Sequence, residues 1–201
     1  MTTRSAHWPT PFQIDEPPRA ILSSSVNRII PFLALLGLGC APSKPARWEQ
    51  GGAPLVLPQA RWDRPDEDPV EIQANGHVLE DGDLIYVIDR VGRIVDEDYE
   101  AIALLLPDGH LAGTDDHSLG QVGITNASPP DRMSAWLAVR PDGSVIFYDE
   151  EGEQFSRGKW YGCNGPALRT CTLVTQIITL RDYVRRSGDG VSVGVGIGIG
   201  L

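Results

Sequence analysis

A turn that keeps returning limits most sharply what this chain can fold into. An aspartate is followed, after zero to two residues, by a glycine, one polar residue and an apolar pair. Gly92-Arg93-Ile94-Val95, Gly109-His110-Leu111-Ala112 and Gly143-Ser144-Val145-Ile146 are three copies. The glycine supplies a positive φ and the aspartate binds the turn amides. Asn75-Gly76 adds a favoured two-residue hairpin turn. Between the turns lie apolar runs of four to six residues, the signal for antiparallel strands. They cover Val70–Ala74, His77–Leu79, Leu84–Ile88, Arg93–Val95, Ala101–Leu106, His110–Gly113, Leu119–Ile124, Ser134–Val139 and Ser144–Tyr148. The spacing of the turns is irregular, which argues against a strict solenoid.

The fold class is therefore mainly β: an antiparallel β-meander rolled into a small barrel or sandwich, with room for a short C-terminal helix. The repeats weakly resemble the short glycine-punctuated strands of β-flower and β-roll proteins, a likeness that implies no activity. Leu173–Arg186 reads two ways. Leu173, Ile177, Leu180 and Val184 share a helical face, while Thr172–Thr179 is rich in β-branched residues. The β-branching favours a strand over about 170–180, with a helical turn at Arg181–Arg186.

At the other end, Arg28 precedes an eleven-residue apolar run, Ile29–Gly39, and then Cys40. That run is too short to span a bilayer, which takes about 20 residues. Charge, apolar run and small residue before a cut are the marks of an export signal. Leu36-Gly37-Leu38-Gly39-Cys40 resembles the lipobox of bacterial lipoproteins, with Gly37 where that family prefers Leu. The resemblance implies that Cys40 is lipidated and begins the mature chain. It also implies an extracytoplasmic, membrane-anchored protein, with Ala41 pointing to the outer membrane. Residues 1–25 then read as a non-native extension, translation starting at Val26 from a GTG codon, and 26–39 as the signal peptide. Residues 40–69, with prolines at 42, 45, 54, 58, 65 and 69, read as a tether. Leu55–Leu57, Trp48 and Trp62 are apolar exceptions suited to docking back as an added strand. The β-rich domain is set at 70–187. The glycine-rich segment 188–201 is a tail or a final strand, sticky enough to support self-assembly.

In the compartment so implied, Cys163 and Cys171 form an even pair, expected as a disulfide around a turn-forming loop. With 17 Lys and Arg against 27 Asp and Glu the net charge is −10. This excludes sequence-independent nucleic-acid binding. The partners expected are the membrane, through Cys40, and a protein or small-molecule ligand of unidentified class.

One polar cluster would suit a metal. Asp115 and His117 share a face of an extended segment, and a hairpin could return His110 beside them. The Asp/Gly setting explains the same residues more simply as turn formers. Asp96, Glu97, Asp98 and Glu100 crowd one loop without EF-hand order. Phosphate-loop, nucleophile-elbow and dinucleotide motifs are absent. No catalytic residue and no cofactor site is read from the chain. The leading expectation is a binding or structural module. A metal-dependent enzyme using His110, Asp115 and His117, and a self-assembling surface protein, are the alternatives.

Overall fold

The computed structural model describes residues 43–130 and 132–188. The expectations for 1–25, for 26–39 and Cys40, and for the tail beyond Gly188 fall outside these residues. Twelve strands run in order: β1 Ala60–Asp63, β2 Val70–Ile72, β3 His77–Glu80, β4 Asp83–Ile88, β5 Arg93–Val95, β6 Ala101–Leu105, β7 His110–Gly113, β8 Ser118–Val122, β9 Asn126–Ser128, β10 Leu137–Val139, β11 Ser144–Tyr148 and β12 Gln154–Tyr161. Each pairs antiparallel with its chain neighbours, and β1 pairs with both β2 and β12, so the meander closes into a barrel. Register shifts in four of the pairings let short strands curve.

The recurrent turns gather at one end. In each, an Asx side chain accepts from the N–H two residues on: Asn75 from His77, Asp89 from Val91, Asp108 from His110, Asp142 from Ser144. Gly76, Gly92, Gly109 and Gly143 all have φ between 80° and 94°. Their carbonyls accept the N–H groups of Ile88, Leu105, Val122 and Trp160 in the next hairpin. Two residues past each glycine, Val78, Ile94, Leu111 and Val145 point into the core with no exposed surface. The repeat in sequence is thus a repeat in space, one turn per hairpin around a rim.

The barrel is filled by a single helix. α1, Leu168–Gly188, follows β12 and replaces the strand expected over 170–180. Of residues 168–181, only Arg169 and Thr179 are more than slightly exposed. A helix buried on every face lacks an amphipathic stripe, so periodicity is a poor guide to it. The β-branched threonines are accommodated because Thr172, Thr175 and Thr179 each donate to the carbonyl four residues back. Thr170 reaches the Val56 carbonyl, Thr172 that of Ile124, and Thr175 accepts from the Trp160 indole. The helix enters at the glycine-turn rim and leaves at the opposite one, here called the entry and exit ends. At the entry end Cys163 and Cys171 lie at disulfide distance, Cα to Cα 6.2 Å, joining the end of β12 to the first helical turn.

Residues 43–69 are part of the domain and do not act as a tether. Ser43 and Ala46 are bound at the exit end by Asp115 and Asp116. The segment then reaches the entry rim and crosses it, burying Ala53 and Leu55 in the core. Trp48 and Glu49 carbonyls hold Arg93, Gly52 and Ala53 bond the Val91 and Leu105 carbonyls, and Leu55 bonds that of Arg90. β1 follows and inserts the closing strand between β2 and β12. The prolines fit because Pro58 precedes β1 and Pro65 follows it, outside its ladder.

Candidate functional site

The densest polar constellation is at the exit end. Trp62 and Trp160 stack with centroids 5.6 Å apart, and the Arg64 guanidinium covers Trp62 at 5.4 Å. The Arg64 side chain is 4% exposed. It donates to Glu80 at 2.6 Å and to the Asp68 carbonyl. Arg181, on the last buried turn of α1, donates to the same Glu80 oxygen at 2.8 Å and to Asp182 at 3.0 Å. Glu67 gathers Arg64 at 3.3 Å, Arg157 at 3.0 Å and Arg186 at 3.2 Å. Burial works to raise the Glu80 pKa, but the hydrogen bonds from Arg181 and Arg64 outweigh it and hold the carboxyl below its usual range. Burial also pushes the neighbouring Tyr86 hydroxyl up.

Each of these arginines has a carboxylate partner, so the group is a clasp that fixes the helix to the rim. Its carboxylates Glu67, Glu80 and Asp182 are all taken up by arginines. Glu80→Gln leaves Arg64 and Arg181 short of charge in a partly buried setting and is expected to cost about 3 kcal/mol. Because the folded pKa of Glu80 is depressed, its contribution is fully present above about pH 4.3, its unfolded value. It is lost as pH falls through the lower folded value. Thermal melts across pH 2–7 should therefore show a steep acid limb in the parent and a flatter one in Glu80→Gln.

A hollow of about 700 Å³ opens on the outer face across β1, β2 and β12. Gln59, Arg61, Glu71, Gln73, Asn75 and Tyr161 line it. Arg61 is engaged by Asp63 at 2.8 Å and Glu71 at 2.6 Å. Tyr161 is 55% exposed, with Lys159 over its ring at 5.8 Å. Amide, phenol and guanidinium groups here can hold a ligand by hydrogen bonds and stacking. Trp160, by contrast, is core, and Trp136 is partly buried with its indole on Gln176.

The expected metal set is not assembled. His110 opens β7 at the entry end, whereas Asp115 and His117 lie past its other end, roughly 10 Å of strand away. Asp115 spends its carboxylate on Ser43, accepting from N–H at 3.1 Å and Oγ at 2.5 Å, and these bonds lower its pKa. Among the described residues no three His, Cys, Asp or Glu side chains are placed to hold a metal ion. Asp96 likewise binds its own turn through the N–H groups of Asp98 and Glu100. Sequence reasoning passed over the clasp, because Arg64, Glu80 and Arg181 are scattered in sequence and meet only when the barrel closes. Compared with protein-family models, curated proteins and solved structures, the chain matches none.

Proposed function

We propose that this chain is a lipid-anchored extracytoplasmic protein, held to its membrane through Cys40, whose barrel serves as a binding or structural module. The observation that carries the anchor is the lipobox-like Leu36–Cys40 stretch after Arg28 and an apolar run. The cysteine pair at disulfide distance supports the same compartment, since such bonds persist where the surroundings are oxidising. Binding is favoured over catalysis because helix α1 occupies the barrel interior, and the outer groove between β1, β2 and β12 offers hydrogen-bonding groups without an activated nucleophile. The ligand is a protein or a small molecule.

Labelled palmitate should enter the parent protein in bacterial cells that acylate lipoproteins, and should vanish in Cys40→Ser. Label retained in Cys40→Ser would falsify the anchor.

A further inference from the structure

The way residues 43–46 are fastened bears on how an anchored barrel would sit. Asp115 and Asp116, with φ of 54° and 56°, form a left-handed corner between β7 and β8 at the exit end. Ser43 exchanges backbone and side-chain hydrogen bonds with Asp115, and the Ala46 N–H donates to Asp116 at 2.6 Å. Only Ala41 and Pro42 separate Cys40 from Ser43. Even fully extended, that stretch spans roughly 11 Å. A lipid carried on Cys40 would therefore be tied by that reach to one rim. The helix C-terminus leaves by the same rim.

We propose that the exit end is the face this protein presents to its own bilayer, lying against the zwitterionic lipid interface with the entry end pointing away. This rests on the lipid-anchor reading above. Exposed apolar side chains stand at both ends, so they do not choose between them; the fastening of Ser43 does. Tyr99, Phe155 and Tyr183, at 65%, 46% and 64% exposure, are the exit-end residues suited to the headgroup region. The charge of the rim selects the lipid. Exposed Asp66, Asp68, Glu97, Asp98, Glu150 and Glu151 outnumber the exposed Lys44, Arg132, Arg185 and Arg186 there, so an anionic leaflet repels it and a neutral one does not.

The orientation can be read with two single-cysteine variants of the full lipidated chain. Cys163 and Cys171 are paired and Cys40 is acylated, so an added cysteine is the one free thiol to label. Tyr183→Cys lies on the exit-end turn of α1. Ile124→Cys lies at the entry end, roughly 16 Å away along the helix from Thr172 to Tyr183. Each is labelled with a fluorophore and reconstituted into phosphatidylcholine and phosphatidylethanolamine vesicles carrying headgroup-region quenchers. Quenching should be several-fold stronger at 183 than at 124, and should weaken when phosphatidylglycerol is added. Equal quenching, or stronger quenching at 124, overturns the orientation. Quenching at 183 that is indifferent to phosphatidylglycerol overturns the choice of a neutral interface. Palmitate label on the same preparations separates the two readings. Cys40 acylated without the quenching difference defeats this inference alone, and Cys40 unacylated defeats both.

Discussion

Gln176→Leu is expected to lower the unfolding free energy by about 4 kcal/mol, although it preserves side-chain volume and adds apolar surface. Gln176 is fully buried at the middle of α1. Its Oε1 accepts from the Trp136 indole at 2.6 Å, and its Nε2 donates to the Leu119 and Ser128 carbonyls at 3.0 and 3.1 Å. Leucine would leave three polar groups inside the barrel without this partner. The site is built around the amide: Gly120 has φ of 97°, and a Cβ there would run into the Ser128 carbonyl and the Gln176 amide. Urea unfolding followed by tryptophan fluorescence measures the effect. A loss under about 1 kcal/mol would mean that the helix and β8–β9 hold together without this link.

Gly143→Ala should be comparably severe, at about 4 kcal/mol. The position has φ of 87°, and an added Cβ would collide with the Trp160 carbonyl, a backbone atom that cannot swing aside. Moving it breaks the bond from the Trp160 N–H to the Gly143 carbonyl, 2.8 Å, at the seam of β11 and β12. Backbone strain contributes roughly 1–2 kcal/mol, with crowding and the lost bond supplying the rest. Gly82→Ala is the control. Its φ of 89° is within 2° of that at Gly143, but nothing lies within 4 Å of its Cβ, so only the strain of roughly 1–2 kcal/mol is expected. Equal losses in the two variants would show that conformation alone, and not the packed rim, makes these glycines necessary.

What the sequence could and could not disclose follows from where each interaction is made. The hairpins were legible because Asx-Gly turns act within four residues, and strand β7 appears with the bounds its flanking turns imply. Helix α1 was misjudged because the β-branched run Thr172–Thr179 outweighed the helical face of Leu173, Ile177, Leu180 and Val184. Thr170, Thr172, Thr175 and Gln176 are all buried, and their partners lie on strands and loops far away in sequence. Strand β1 was obscured by prolines that flank it without interrupting it. Trp62, 2% exposed, was the clue that this segment packs inward. His110 and His117 stay apart because β7 ends at Gly113 and the hairpin beyond the Asp115–Asp116 corner returns Gln121, not His117, beside His110. Both the groove at Arg61 and the clasp at Glu80 depend on barrel closure, which no local pattern announces.

The placement of the helix also sets the order in which the molecule can be made. The residues that fill the barrel are translated after all twelve strands, and β1 must pair with β12 to shut the wall around them. A nascent chain ending anywhere before Leu180 has a wall with nothing to wrap, and its largest apolar faces have no partner. The interior cannot be loaded through a closed wall, so strands and helix must come together in one late, long-range step. The closed and filled barrel is therefore complete only once α1 has been made.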